Sequence, residues 1–354
     1  MRRRRLLGMV PALLLAAGRT AGAAGRAEPA SGTLEQGPPA LSHPQLLVAG
    51  PAESVSGRWA SVLAPGLAQA LGLPRSMPIA DTGGRDGVTG ANAFDALTAP
   101  DGATAMLVPG AAALAWLAGD PRVHFDAGRW VPALAAFSPA VVVGRGGLGE
   151  GLAGKPVRIG ASTVTGVELP ALLGLFLLSA VPVPVFGLSR ADDAETALRD
   201  GRIDAMLLSG PDIAPRLAAL RRDGYTPLFS LAREPAGGAE RGDATPGVIE
   251  LASARGSRPD PALLEAWRAT ATAATMQTAL VLPLLTPAAV MARWRLASGE
   301  AVAGPLVADH LRDGQADTVA GTRSAAALDE LKASQAAQLA LRRWIAERTG
   351  WRRA

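Results

Sequence analysis

The sequence predicts an α/β fold in two lobes, and three observations carry that prediction. Short apolar runs of strand length alternate with helix-periodic segments along most of the chain, the order that builds largely parallel sheets flanked by helices. About 330 residues remain after an N-terminal export segment, more than one hydrophobic core usually serves. Loops rich in glycine and hydroxyls stand between several strands and the helices that follow them.

Residues 24–43 are rich in Gly, Pro, Ser and Glu without a period, and read as a flexible leader. Gln45 to Ala49 then forms a short strand, and a helix runs from about Ser56 to Leu71, where Trp59, Val62, Leu63, Leu67 and Leu71 recur at helical spacing. Further strands are expected at Ala105 to Val108, Ala140 to Val143, Val157 to Gly160, Val181 to Phe186, Ala205 to Leu208 and Leu228 to Leu231. The apolar run from Leu169 to Leu188 approaches the ~20 residues of a membrane span. Pro182 and Pro184 break it, however, so a buried helix followed by a strand is the better account. Thr278 to Met291 reads in the same way as a core segment, punctuated by Pro283 and Pro287. The expected lobes are 44–142 plus 227–354, and 143–226. The loop from Glu234 to Gly247, rich in Gly, Ala and charge, is expected to be mobile.

The first 23 residues set the compartment. Arg2 to Arg5 form a basic n-region, Leu6 to Ala17 an apolar stretch of about a dozen residues, and Ala21-Gly22-Ala23 a small-residue cleavage site. Cleavage after about Ala23 would release the chain into the periplasm. Arg3-Arg4 followed by Arg5-Leu6-Leu7 also fits a twin-arginine signal, so the general secretory and twin-arginine routes both stay open. The chain has no cysteine, and so neither a lipid-bearing thiol nor a disulfide. Its net charge is +4, but residues 1–23 hold five arginines and no acid, leaving −1 on the mature chain. The basic residues Arg342, Arg343, Arg348, Arg352 and Arg353 read as a solvated helix face, and no nucleic-acid partner is expected.

Motifs for catalysis are missing or incomplete. Gly149-x4-Gly154-Lys155 has most of a phosphate-binding loop, but Pro156 stands where the magnesium-binding hydroxyl belongs. His43, His124 and His310 are far apart and lack metal-ligand spacing, so no metal and no cofactor is expected. There is no Gly-x-Ser-x-Gly elbow, and Gly83, Gly84, Gly87 and Gly90 do not fall into dinucleotide-binding spacing. The chain is therefore not expected to be an enzyme, although a triad assembled from distant positions stays open as an alternative.

Three loops precede helices, where unpaired N–H groups and the helix dipole attract anions: Gly50 to Gly57, Gly83 to Gly90 and Gly160 to Gly166. Ser54 and Ser56, Thr89, and Ser162, Thr163 and Thr165 add hydroxyl donors to them. Together they could hold a carboxylate.

The order of these features resembles the extracytoplasmic solute receptors of the tripartite tricarboxylate transporter family, the Bug-type or TctC-like receptors, of which this chain would be a divergent member. Leu46 to Gly72 resembles the family's opening strand, Gly-rich loop and helix with a Leu-Gly ending. Gly84 to Leu107 matches its next loop and helix, with the Pro100-Asp101-Gly102 turn intact. Phe125-Asp126 and Trp130-Val131-Pro132 resemble the tract leading into the lobe-crossing strand. Val183-Pro184-Val185-Phe186-Gly187 is similar to Val-Pro-Tyr-Lys-Gly, and Gly201-Arg202-Ile203-Asp204 to Gly-Gln-Val-Asp. The likeness covers about half the chain, Pro44 to Arg233.

Departures fall in the loops. Glu53 and Ser54 stand for paired glycines, Gly57 for an aspartate, Ala103 for an aromatic residue and Phe186 for a lysine. A Glu53 facing a pocket would repel a carboxylate by about 1 kcal/mol at 4 Å in water, and by more in a dry cleft.

The resemblance implies a periplasmic binding protein type II-like fold, a ligand cleft between the lobes and closure about a hinge. It further implies a small organic acid as ligand, delivery to the membrane permease subunits of a tripartite tricarboxylate-type transporter, and a monomer. The residues expected to touch ligand are Ser54, Ser56, Gly84, Gly87, Ser162, Thr163 and Thr165, with Asp204 in addition. The rival readings are a ligand sensor or protein-binding scaffold that feeds no transporter, and an exported hydrolase.

Overall fold

The computed structural model describes residues 41–348 except 42, 147–150, 189, 211, 232–244 and 315. The expected export signal, most of the expected leader, the body of the loop from Glu234, Gly149, Arg352 and Arg353 lie outside the described residues.

In chain order the elements are β1 (Gln45–Val48), α1 (Val55–Ala70), β2 (Ile79–Asp81), α2 (Val88–Leu97), β3 (Thr104–Val108), α3 (Gly110–Ala118), β4 (Val131–Phe137) and β5 (Ala140–Arg145). There follow β6 (Pro156–Ala161), α4 (Leu169–Leu177), β7 (Val181–Phe186), α5 (Ala191–Arg199), β8 (Ala205–Ser209), α6 (Ile213–Arg222) and β9 (Tyr225–Ser230). The chain finishes with α7 (Val248–Ala254), α8 (Pro261–Thr275), β10 (Met276–Leu282), α9 (Ala288–Val302), α10 (Pro305–Gly314), β11 (Asp317–Ala320), α11 (Arg323–Asp329) and α12 (Gln335–Ala346). The strands form two sheets, ordered β11-β4-β10-β3-β1-β2 and β7-β6-β8-β5-β9. The first sheet centres lobe 1 and the second centres lobe 2. The second sheet takes in β5 from Ala140 and β9 as far as Ser230, and α7 packs on α4 and β9.

The sheets are mixed, which corrects the expectation of largely parallel pairing. β1 runs parallel to β2 and β3, and β6 parallel to β7 and β8. β10 is antiparallel to β3 and β4, and β5 antiparallel to β8 and β9. β11 is antiparallel to β4 as well. Only Ser138 and Pro139 separate β4 from β5, and β10 returns directly from α8.

The predicted strand at Val181 to Phe186 is β7, an edge strand preceded by the buried helix α4. The Val181 N–H donates toward β6, to the Lys155 carbonyl. Pro182 and Pro184 therefore place their nitrogens, which carry no hydrogen, on the open side. The expected core segment Thr278 to Met291 divides instead. Its first part is β10; Pro283 ends that strand, Leu284 and Leu285 are exposed in the turn, and α9 starts after Pro287.

Among the described residues, three apolar clusters hold the sheets and helices. One packs Trp59, Leu63 and Leu67 of α1 against Trp294 of α9 over one face of the first sheet. Another lies under α5 and α6 in lobe 2. The third is continuous across both lobes, running from Met106 and Val108 through α3, α8 and α12 to Leu172, Leu173 and Phe229. Trp267 of α8 donates its indole N–H to the Pro170 carbonyl at 3.1 Å, tying α8 to α4.

Gly110, the first residue of α3, lies so close to the end of α8 that a Cβ there would overlap the Ala273 carbonyl oxygen and stand 2.6 Å from that of Met276. Gly299, on the exposed side of α9, has open space where its Cβ would be. Gly110→Ala should therefore lower the unfolding free energy by about 1–3 kcal/mol through overpacking. Gly299→Ala should raise it by roughly 0.5–1 kcal/mol by removing backbone freedom from a helix interior. Urea denaturation of the two variants checks both signs.

Candidate functional site

Two helix starts point at one place between the sheets. Ser54 caps α1, its Oγ accepting the Gly57 N–H at 3.1 Å, while the Val55 and Ser56 N–H groups have no acceptor in their own helix. A side chain at Gly57 would overlap the Ala52 carbonyl, so the tight loop requires glycine where the resemblance led to an aspartate. Pro109 precedes α3 and supplies no side-chain cap, so the N–H groups of Gly110 and Ala111 are likewise unpaired within the helix. Between these ends lies a cavity of about 520 Å³.

Lobe 1 supplies its charged wall. Arg58 projects from α1, with one guanidinium N–H donating to the Glu53 backbone carbonyl at 2.7 Å, and Arg85 projects from the second loop. Neither forms an ion pair with an acid among the described residues. His310 and Asp313 reach the same cavity from α10. Burial pushes the His310 imidazole below its ordinary value of 6.5, the Arg58 charge adds to this, and Asp313 opposes it. His310 is thus uncharged at neutral pH. Its ring meets that of Trp59 edge-on, with centroids 4.6 Å apart.

The crossing segments form the floor. Gln277, just inside β10, accepts the Trp59 indole N–H at 2.8 Å through Oε1 and donates through Nε2 to Ser138, the residue linking the two crossing strands. Ser56 Oγ and Thr278 Oγ1 are 3.0 Å apart and both buried, and Thr278 donates to the Val108 carbonyl at 3.3 Å. The floor is therefore fixed by hydrogen bonds linking α1, β3, β10 and the first crossing. Lobe 2 closes the cavity with Val167, Ser209 and Gly210, none of them charged.

Of the residues expected at the site, Ser54 and Ser56 line the cavity. Gly84 and Gly87 do not; they shape the loop that presents Arg85. Gly84 has φ +92°, and a Cβ on Gly87 would meet the Pro109 ring at 2.6 Å. Ser162, Thr163 and Thr165 also lie outside the wall. Ser162 is engaged with Glu168, whose Oε2 accepts its N–H at 3.2 Å and its Oγ–H at 2.8 Å. Asp204 sits before β8, whereas the cavity is at the far end of that strand, about 16 Å away at 3.3 Å per residue. It is held there by a two-pronged pair with Arg158 at 2.7 and 2.9 Å, which keeps its carboxyl below the usual range. Glu53 is exposed and absent from the wall.

Sequence reasoning missed Arg58, Arg85, Ser138, Ser209, Gln277, His310 and Asp313. Arg85 lay inside a loop singled out for its glycines. Gln277, His310 and Asp313 come from the C-terminal third, where no motif led. No group of three or more His, Asp or Glu that could hold a metal occurs among the described residues, and none of their helices is long and apolar enough to cross a membrane.

No protein-family model matches the sequence, and no curated protein matches it. Solved structures do. A TctC solute binding protein from Polaromonas, solved without ligand, superimposes with a TM-score of 0.61 at 16% identity, over 86% of this chain and 98% of that one. MatC from Rhodopseudomonas palustris with bound malate gives 0.47 at 18% identity, over 87% and 97%. A second R. palustris protein, solved with adipate, gives 0.48 at 14%, over 83% and 97%. With its two α/β lobes and the cavity between them, the chain has the fold of a TctC-type solute-binding protein.

Proposed function

We propose that this chain is an exported solute receptor, a divergent member of the tripartite tricarboxylate receptor family, that holds a small organic acid by its carboxylate between the two lobes. One observation carries the reading: the unpaired N–H groups of two helix starts and the guanidinium groups of Arg58 and Arg85 meet on one cavity between the lobes. A carboxylate at 4 Å from one guanidinium gains about 1 kcal/mol in water and about 4 kcal/mol at an effective dielectric of 20. The helix starts add donors that need no reorganisation. Closure of lobe 2 would bring Val167, Ser209 and Gly210 over the ligand. Delivery to a permease and residence in the periplasm follow from the sequence resemblance and the export signal, and belong to the same proposal.

A hydrolase is less well supported. The cavity holds serines and His310, but among the described residues no serine hydroxyl is hydrogen-bonded to a histidine, the arrangement that activates the nucleophile.

A thermal-shift screen of the mature protein against mono-, di- and tricarboxylates tests the reading. At 100 times its dissociation constant a ligand adds about 2.7 kcal/mol, enough to raise the midpoint by several degrees. No shift with any carboxylate would remove the proposal. Arg58→Ala and Arg85→Ala should each weaken a carboxylate that does bind by about tenfold or more, read by titration calorimetry.

The pH dependence has a defined sign. Burial and the Arg58 charge favour the neutral imidazole of His310, and an anion beside it favours the imidazolium and raises its pKa. Binding therefore takes up protons and tightens as pH falls toward the lowered pKa of the free imidazole. His310→Gln should abolish both the proton uptake, measured in buffers of different ionisation enthalpy, and the slope.

A further inference from the structure

We propose that Glu168 fills the third glycine-hydroxyl loop with the protein's own carboxylate, so that the cavity selects ligands bearing a single carboxylate. The inference rests on the receptor reading above and specifies its substrate class.

The loop from Gly160 to Gly166 leaves β6 toward α4, and Val167, between that loop and Glu168, stands in the cavity wall. Glu168 is the residue before α4, and its side chain folds back over the loop, where Ser162 gives it both an N–H and an Oγ–H. Its seat depends on Gly166. A Cβ at that position would stand 2.7 Å from Glu168 Oε2 and 3.1 Å from Thr163 Oγ1, and would overlap Ser162 Oγ. Ser162, whose N–H and hydroxyl could have received a ligand carboxylate here, therefore already holds one. No cation pairs with Glu168 among the described residues. Burial accordingly pushes its carboxyl up, and the Ser162 hydrogen bonds only partly offset this.

The rest of the wall points the same way. Arg58, Arg85 and both unpaired helix starts belong to lobe 1, whereas lobe 2 offers Val167, Ser209 and Gly210. A ligand with one carboxylate places it on lobe 1 and turns an uncharged end to lobe 2. A dicarboxylate would set its second charge against an uncharged wall, with an unpaired buried glutamate behind it, and like charges in such a setting repel at a cost of affinity.

Titration calorimetry with a series of straight-chain dicarboxylates, and the monoamide of each, tests this on the wild-type mature protein and on the Glu168→Gln and Glu168→Ala variants. The wild type should bind the best monoamide about tenfold more tightly than its parent diacid. Glu168→Gln keeps an acceptor for Ser162 and removes the charge, so it should shrink that preference. Glu168→Ala, which also frees the Ser162 donors, should shift it by about tenfold or more toward the diacid. A wild type that prefers the diacid, or a preference unchanged in the variants, overturns the inference and leaves the receptor reading standing. If neither acids nor monoamides bind any of the proteins, both fall. Should Glu168→Ala not fold, the wild-type preference and Glu168→Gln still decide.

Discussion

The cavity depends on how closely the start of α3 approaches the junction of α8 and β10. That approach is possible only because position 110 carries no side chain. It brings the unpaired N–H groups of Gly110 and Ala111 to the wall and fixes where Thr275, Met276 and Gln277 stand. Gln277 then bridges Trp59 on α1 and Ser138 on the first crossing. One close backbone contact thus aligns two helix starts and both lobe connections. Gly57 repeats the device on α1, where a tight loop packed on Ala52 sets the direction of the Ser54 cap.

The two lobes contribute unequally. Lobe 1 carries the charge and the helix ends, and lobe 2 offers a small, uncharged surface. The apolar cluster that runs through α8 into α4 joins them, and the indole of Trp267 bonded to Pro170 holds that joint. Buried polar groups at the floor are satisfied in series, Ser56 to Thr278 to Val108, which keeps the first turn of α1 in register with β10 and β3.

Much of the fold was legible in the sequence. The spacing of Trp59, Leu63 and Leu67 located α1, and the proline-broken apolar run resolved into α4 and β7 as read. Strand direction was not legible, because it is set by pairing between segments far apart in sequence. β2 was missed because all three of its residues are exposed and it offers no alternation of burial to detect. Ser54 and Ser56, expected from a loop placed before a helix, line the cavity, and the cap at Ser54 is a local signal. Arg85, Gln277 and His310 are brought together only by the tertiary fold. Asp204 was a candidate by likeness alone, and its geometry belongs to an ion pair with Arg158. The Ser162 hydroxyl was identified as a donor, but its acceptor, six residues on at Glu168, was not.

The prolines of β7 have a consequence beyond the site. An edge strand offers a row of free backbone donors and acceptors to any other extended chain, and most proteins must blunt it in some way. Here Val181 and Val183 leave apolar surface exposed on that edge strand, which by itself would invite pairing. Because Pro182 and Pro184 fall on alternate positions, two of the three outward-facing residues of the strand lack a donor, and an incoming strand finds only the Phe186 N–H at its end, too little to complete a ladder. The edge of the second sheet is thereby protected against sheet-to-sheet aggregation, without a single charged residue in that strand.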